Sequence, residues 1–307
     1  MTHSPRPASP LDVTTLVPGE PLIAFKEVCM GFTEGDVLQG ISFEVWPGET
    51  KVLLGETGTG KTLIMKLASG LMQPDSGHVW VMGHDLGQMP EDELLDFRRH
   101  LGFVFQEGAL FDSLTVADNV AFRLREEIHS DAEVEARVRE VLRFVELEST
   151  FDMFPGDLSG GMRRRVSIAR ALADRPPVVF YDSPTAGLDP VTSQTIMNLI
   201  MRGRDLQNVT SLIATHRVQD AFGLANYRFD ATAGRVVPLG VVPPEVVRPL
   251  GNGRHDAPNG EREPAARKSK PTNVLVLREG RIYFEGEADE LLHTSDNYLK
   301  KFLASAE

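Results

Sequence analysis

Short apolar runs open the readable part of the chain. Leu22-Ile23-Ala24-Phe25, Ile41-Ser42-Phe43-Glu44-Val45 and Lys51-Val52-Leu53-Leu54 are bounded by turn signals such as Pro47-Gly48, which predicts strands. After Gly60 the spacing changes, and Leu63, Leu67 and Ala68 share one face of a predicted helix. From about Glu91 to Ala173 the pattern is mostly helical. Its clearest stripe is Val134, Val138, Val141, Leu142 and Val145. Strand text returns at Val178-Val179-Phe180-Tyr181 and Ser211-Leu212-Ile213-Ala214, then at Asn273 to Leu277 and Arg281 to Phe284 around a Glu279-Gly280 turn. Apolar strands alternating with helices predict an α/β core with helices on both faces. The helices of about 88–165 read as a subdomain inserted into it, and two short amphipathic helices within 286–304 close the chain. Residues 1–21 lack periodicity and are rich in proline, so disorder is expected there. The Pro- and Gly-rich stretch of about 234–272 reads as an irregular insertion; its part from Arg235 to Val247 is apolar enough for a strand pair or a docked loop.

Composition narrows the class. The 307 residues are 41% hydrophobic and 25% charged, enough for a sizeable core. A net charge of −12 argues against a generic nucleic-acid binder, which needs a basic face. The lone Cys29 excludes an internal disulfide framework and fits a reducing compartment. No run approaches the roughly 18–20 apolar residues that span a bilayer, and no apolar segment near the start reads as a signal peptide. The chain is therefore expected in the cytosol, held at a membrane only by something else.

Gly55-Glu56-Thr57-Gly58-Thr59-Gly60-Lys61-Thr62 follows a predicted strand and opens a predicted helix, the context of a phosphate-binding loop. Glycines let successive N–H groups point inward as an anion nest, and the helix N-terminus adds its partial positive charge. Lys61 is placed to reach the β- and γ-phosphates of a nucleoside triphosphate, and Thr62 to ligate Mg²⁺. Val178-Val179-Phe180-Tyr181-Asp182 is an apolar strand ending in a carboxylate. Alone, such an aspartate is as well explained by capping the next turn; beside the loop it suits the orientation of Mg²⁺ and its waters.

Leu158-Ser159-Gly160-Gly161-Met162 would by itself read as an ordinary helix start, with Ser159 as N-cap. It precedes Asp182 by one helix, however, and is accompanied by Thr185-Ala186-Gly187-Leu188-Asp189-Pro190, by Gln106 after a strand, and by Ala214-Thr215-His216. In that order the set resembles the nucleotide-binding subunit of ABC transporters, over roughly 22–229 and again over 274–303. The resemblance implies a P-loop NTPase fold: a RecA-like core with an antiparallel β subdomain plus an inserted α-helical subdomain. It implies that Phe32 stacks on adenine, although an aromatic there could equally pack a core. Gln106 would touch Mg²⁺ or the attacking water. Ser159, Gly160 and Gly161 would close over the γ-phosphate of a second ATPase subunit, with Asp189 at the dimer seam and His216 on the γ-phosphate. Gly55 through Thr62 would bind ATP, with Mg²⁺ held by Thr62, Gln106 and Asp182.

One position departs from the family. A glutamate that polarises the attacking water normally follows the strand-ending aspartate, and here Ser183 stands in Asp182-Ser183-Pro184. A hydroxyl is not a general base near neutral pH, and losing such a group typically lowers the rate by about 10²–10⁴. ATP binding is expected to survive. Hydrolysis is either slow, or rescued by a subunit that has the glutamate, or stalled by design to trap the ATP-bound dimer.

The run from Phe105 to Ala121, with Gly161-Met162-Arg163-Arg164-Arg165-Val166, resembles the ATPases of the Mla/Mce group. That implies three partners: a transmembrane permease, a second copy of the ATPase and a Mce-domain lipid-binding protein. It also implies a peripheral place on the cytoplasmic face of a bacterial inner membrane. Ala109, Leu110, Phe111 and Leu114 would line the groove that grips the permease, unless they only pack the helical subdomain. The alternatives are another ABC import or export task, or an ATP-gated switch without transport. Chromosome-type cassettes need long heptad arms, which are absent.

Overall fold

The structure, a computed structural model, describes residues 19–33, 35–127, 130–239 and 272–305. Of the stretch 1–21 expected to be disordered, 1–18 lie outside these, as does most of the irregular insertion, while 19–21 are placed as a turn leading into the first strand. Two sheets organise the rest. The first is antiparallel, in the order β2-β1-β4-β5, built from β1 (Ile23–Phe32), β2 (Gly35–Val45), β4 (Ser76–Val81) and β5 (His84–Asp85). The second is the core, ordered β12-β11-β3-β8-β7-β6: β3 (Thr50–Leu54), β6 (Leu101–Val104), β7 (Val178–Asp182), β8 (Thr210–Thr215), β11 (Thr272–Arg278) and β12 (Arg281–Glu287). All its pairings are parallel except β11 with β12. A hairpin of β9 (Tyr227–Asp230) and β10 (Arg235–Pro238) stands apart.

Ten helices are described: α1 (Lys61–Ala68), α2 (Glu91–Arg98), α3 (Val116–Ala121), α4 (Leu124–Glu127), α5 (Asp131–Phe144), α6 (Gly160–Leu172), α7 (Pro190–Gln207), α8 (Val218–Asn226), α9 (Ala288–Leu292) and α10 (Asn297–Ser305). The core strands explain why helices flank both sides. In β7, Val179 and Tyr181 point into one apolar cluster, with α5, α6 and α7, while Val178 and Phe180 point into the other, with α1 and the antiparallel sheet. The same alternation divides Ile213 from Leu212 and Ala214 in β8. Each buried Leu, Ile, Val or Phe contributes about 1.5–3 kcal/mol by leaving water, so both faces must be covered.

The strand expected before Gln106 is β6, which pairs parallel with β7 at the sheet edge inside the otherwise mostly helical stretch. Phe103 packs against Phe180 at 5.7 Å and stacks on Phe105 at 4.2 Å. One sequence reading changes: the first strand runs on to Phe32 rather than stopping at Phe25. Its register shifts between Phe25 and Val28, where Glu27 takes φ +50°, and this bulge erases the alternation that would announce a longer strand. Of the stretch 235–247, expected as a strand pair or a docked loop, Arg235–Pro238 forms β10, which pairs with the preceding β9, and 240–247 lie outside the described residues.

Arg204, fully buried on α7, knits this end of the fold. Its guanidinium donates to the carbonyls of Leu224 (2.6 Å) and Tyr227 (2.8 Å) and to Thr272 Oγ1 (3.2 Å), and pairs with Asp205. The start of β9 and the start of β11 are thereby fixed to one helix. Among the described residues no helix is long and apolar enough to cross a membrane.

Candidate functional site

At the carboxyl end of β3 the chain curls through residues 55–60 into α1. Gly55, Gly58 and Gly60 have φ of +154°, +85° and +97°, a region L side chains rarely adopt. Space is also short, since a Cβ on Gly60 would lie 2.5 Å from Leu38 Cδ2. Lys61 folds back over the loop, its Nζ donating to the carbonyls of Gly55 (2.8 Å) and Glu56 (2.7 Å). Burial pushes the Lys61 ammonium below its usual pKa, against the pull of Asp182 and Glu56. A cation short of water gains most from an anionic ligand, and the first turn of α1 carries no acidic residue to compete.

Asp182, at the end of β7, stands beside α1. Its Oδ2 accepts from Thr62 Oγ1 at 3.1 Å and its Oδ1 from Ser183 Oγ at 3.3 Å. A hydroxyl against a buried carboxylate is a pair of hard oxygen donors, the type Mg²⁺ takes, so these residues fit that ion. Ser183 sits in the left-handed region at φ +47°, held by its N–H donating to Ala214 O at 2.8 Å. Ser183, Gln106 and His216 meet Phe32, Thr57, Gly58, Gly60, Lys61 and Thr62 around one open cleft of about 410 Å³. Gly55, Glu56 and Thr59 shape the loop without lining the cleft. Val37, Leu63, Lys66, Met72 and Ala186 also line it, and no local pattern singles them out.

Phe32 is 54% exposed at the end of β1, so its ring is a free face and not core packing. Gln106 lies just beyond β6 on a loop that α6 clamps from behind. Arg164 donates to Phe105 O at 2.9 Å, and Arg170 to Gly108 O and Ala109 O at 2.9 and 2.7 Å.

The remaining predicted residues form a second, separate group. Ser159 caps α6, accepting from Met162 N at 3.2 Å, and Asp189 caps α7, accepting from Val191 N and Thr192 N at 3.0 Å. The two caps are neighbours: a Cβ on Gly161 would collide with Thr192 Cγ2, and Thr192 Oγ1 donates to Asp189 Oδ2 at 2.5 Å. None of Ser159, Gly160, Gly161 and Asp189 lines the cleft. The two caps therefore form a group separate from the cleft.

Sequence comparison agrees with this geometry. The ABC transporter domain profile matches residues 38–186. The probable ribonucleotide transport ATP-binding protein mkl of Mycobacterium leprae is 33% identical, over 88% of this chain and 79% of its own length. The chain belongs to the ABC transporter family. It is an ATP-binding subunit of that family, and an ATPase. The intermembrane phospholipid transport system ATP-binding protein MlaF of Haemophilus influenzae is also 33% identical to this ABC subunit, over 68% of the chain and 80% of that protein. Among solved structures, a dimeric ATP-binding cassette in a post-hydrolysis state with ADP and Pi superposes with a TM-score of 0.65. It shares 26% identity, over 87% of this chain and 98% of the other.

Proposed function

We propose that this ABC subunit drives the movement of a phospholipid or another hydrophobic molecule through a permease that works with a Mce-domain lipid-binding protein. The observation that carries the reading is the stretch after Gln106, within the region similar to the phospholipid-transport relative. There Phe111 and Phe122 are 44% and 46% exposed with ring centroids 4.7 Å apart, next to the loop that delivers Gln106 to the cleft. A paired aromatic surface beside a catalytic loop suits a permease helix whose motion must reach the nucleotide. Leu110 is partly buried against the helical core, so Phe111 and Ala109 form more of that surface than Leu110 does.

In the working cycle the loop 55–62 holds the triphosphate, Lys61 its β- and γ-phosphates, and Phe32 the base. Thr62, Asp182 and Gln106 would hold Mg²⁺, which would supply neutralisation of charge at the phosphoryl group. Two copies pair head to tail. Ser159, Gly160 and Gly161 of each close over the nucleotide of the other, and Asp189 lies at the seam. The relative solved as a dimer with ADP and Pi supports this pairing. ATP stabilises the closed pair through contacts that hydrolysis removes. With Ser183 in place of a carboxylate, hydrolysis is slow and His216 and Gln106 position the attacking water. The subunit sits peripherally on the cytoplasmic face of a bacterial inner membrane and contacts no nucleic acid.

The test is affinity purification of the tagged chain from detergent-solubilised membranes, with mass spectrometry of proteins and lipids. A permease, a Mce-domain protein and bound phospholipid are the expected catch. A permease with a periplasmic solute receptor and no lipid would reject the lipid reading and keep the ABC assignment.

A further inference from the structure

Behind the cleft, the segments that carry Ser183 and His216 are joined by a buried carboxylate. Asp220, in the first turn of α8, is 3% exposed, and its Oδ2 accepts from Thr185 Oγ1 at 2.5 Å and from Thr215 Oγ1 at 2.9 Å. Thr185 belongs to the loop that follows Ser183, and Thr215 immediately precedes His216. Arg217, the residue after His216, is locked by its own N–H, which donates to Thr215 Oγ1 at 3.0 Å. Its guanidinium reaches a third segment: Nη1 donates to Ser193 Oγ at 2.9 Å and to Thr185 O at 3.4 Å, while Nε lies 3.9 Å from Asp220 Oδ1. Ser193 is in the first turn of α7, and its N–H donates to Asp189 O at 2.8 Å. Thus hydrogen bonds lead from Asp189, outside the cleft, through Ser193 and Arg217 to Thr215, and so fix both chain neighbours of His216, which lines it.

We propose that Arg217 and Asp220 are positioning residues of the ATPase step. Asp220 holds the arms bearing Ser183 and His216 in register. Arg217 links His216 to the first turn of α7, so that the placement of Asp189 at the seam sets the placement of the histidine. This rests on the reading of His216 as the group facing the γ-phosphate. Thr185, Thr215 and Ser193 are each at most 3% exposed, so the chain has little slack, and a misplacement of about 1 Å can lower a rate a hundredfold. The network touches neither the loop 55–62 nor Phe32, so it acts on turnover more than on binding.

The experiment compares purified full-length wild type, Arg217→Met, Arg217→Lys, Ser193→Ala and Thr185→Val. It measures equilibrium binding of a fluorescent ATP analogue, steady-state phosphate release and thermal unfolding. Arg217→Met should lower kcat at least tenfold, keep the nucleotide Kd within twofold, and melt within a few degrees of wild type. Arg217→Lys, which can keep the Ser193 bond, should recover at least threefold of that loss. The double variant Arg217→Met with Ser193→Ala should be no slower than Arg217→Met alone. A folded Arg217→Met with kcat within twofold of wild type overturns the proposal, as does additive loss in the double variant. Should Arg217→Met not fold, Ser193→Ala and Thr185→Val decide by the same kcat criterion. His216→Ala separates the layers: unchanged turnover there sinks the histidine's role and this proposal together, whereas an inactive His216→Ala beside an active Arg217→Met sinks the proposal alone.

Discussion

Thr62 Oγ1 donates to Asp182 Oδ2 across 3.1 Å, although 120 residues separate the two in sequence. The parallel core sheet makes this possible. β3 and β7 both pair with β8, so the helix that follows β3 and the carboxylate that ends β7 arrive at the same edge. If the pair holds Mg²⁺, Asp182→Asn keeps the shape and removes the charge that the ion needs. Turnover should then fall at least a hundredfold, roughly 2.7 kcal/mol of barrier, and chelation of Mg²⁺ should silence the wild type. Phosphate release assays decide: a variant retaining a tenth of wild-type turnover refutes the assignment.

Ser183 follows Asp182 and lines the cleft at φ +47°, and on the proposed reading it stands where a carboxylate would act as general base. Holding a non-glycine residue in that region costs on the order of 1–3 kcal/mol, which the serine already bears. Ser183→Glu therefore adds a carboxylate with little new backbone strain. Turnover should rise at least tenfold, with nucleotide affinity unchanged. Flat turnover in a folded variant means that the missing carboxylate is not what limits hydrolysis.

The phosphate loop and the strand end at Asp182 are legible in sequence because their physics is local: glycines that free the backbone, a helix that begins on cue, an apolar run with a charged end. The core strands announce themselves for the same reason, since burial on both faces leaves continuous apolar text. What stays hidden is non-local. Nothing in the pattern around Asp220 says that it will meet Thr185, 35 residues earlier, and nothing near Arg164 says that it will hold Phe105 O, 59 residues away. The bulge at Glu27 hides the length of β1.

Asp220 gives a pH test of its burial. Removal from water raises its pKa above 3.8, outweighing the opposing pull of the Thr185 hydroxyl, Arg217, Thr215 and His216. The sign follows from linkage. The folded state prefers the neutral acid, so its contribution is greatest below pH 3.8 and is lost as pH rises through the folded pKa. Asp220→Asn has the same shape without the titration. The wild type's lead over this variant in melting temperature should therefore shrink between pH 4 and pH 7. A lead that widens over that range shows that the network is built around the charged form.

Of Ser159 and Lys61, only Lys61 lines the cleft. On the proposed reading both serve the nucleotide, so they would have to meet between two chains. Ser159→Arg places a bulky cation at the exposed cap of α6, where the cap hydrogen bond to Met162 N contributes about 1 kcal/mol. That is small beside the stability of the fold, so the protomer survives and its own cleft is untouched. ATP should bind the variant as it binds the wild type, while turnover collapses. In the wild type, activity per molecule should rise with protein concentration until the dimer is saturated. Mixing equal amounts of Ser159→Arg and Lys61→Ala makes the sharpest case. The mixed dimer holds one intact composite site, built from the lysine of the first chain and the serine of the second, and one doubly broken site. Activity that returns on mixing two inactive variants requires head-to-tail closure; a mixture as silent as its parts rejects it.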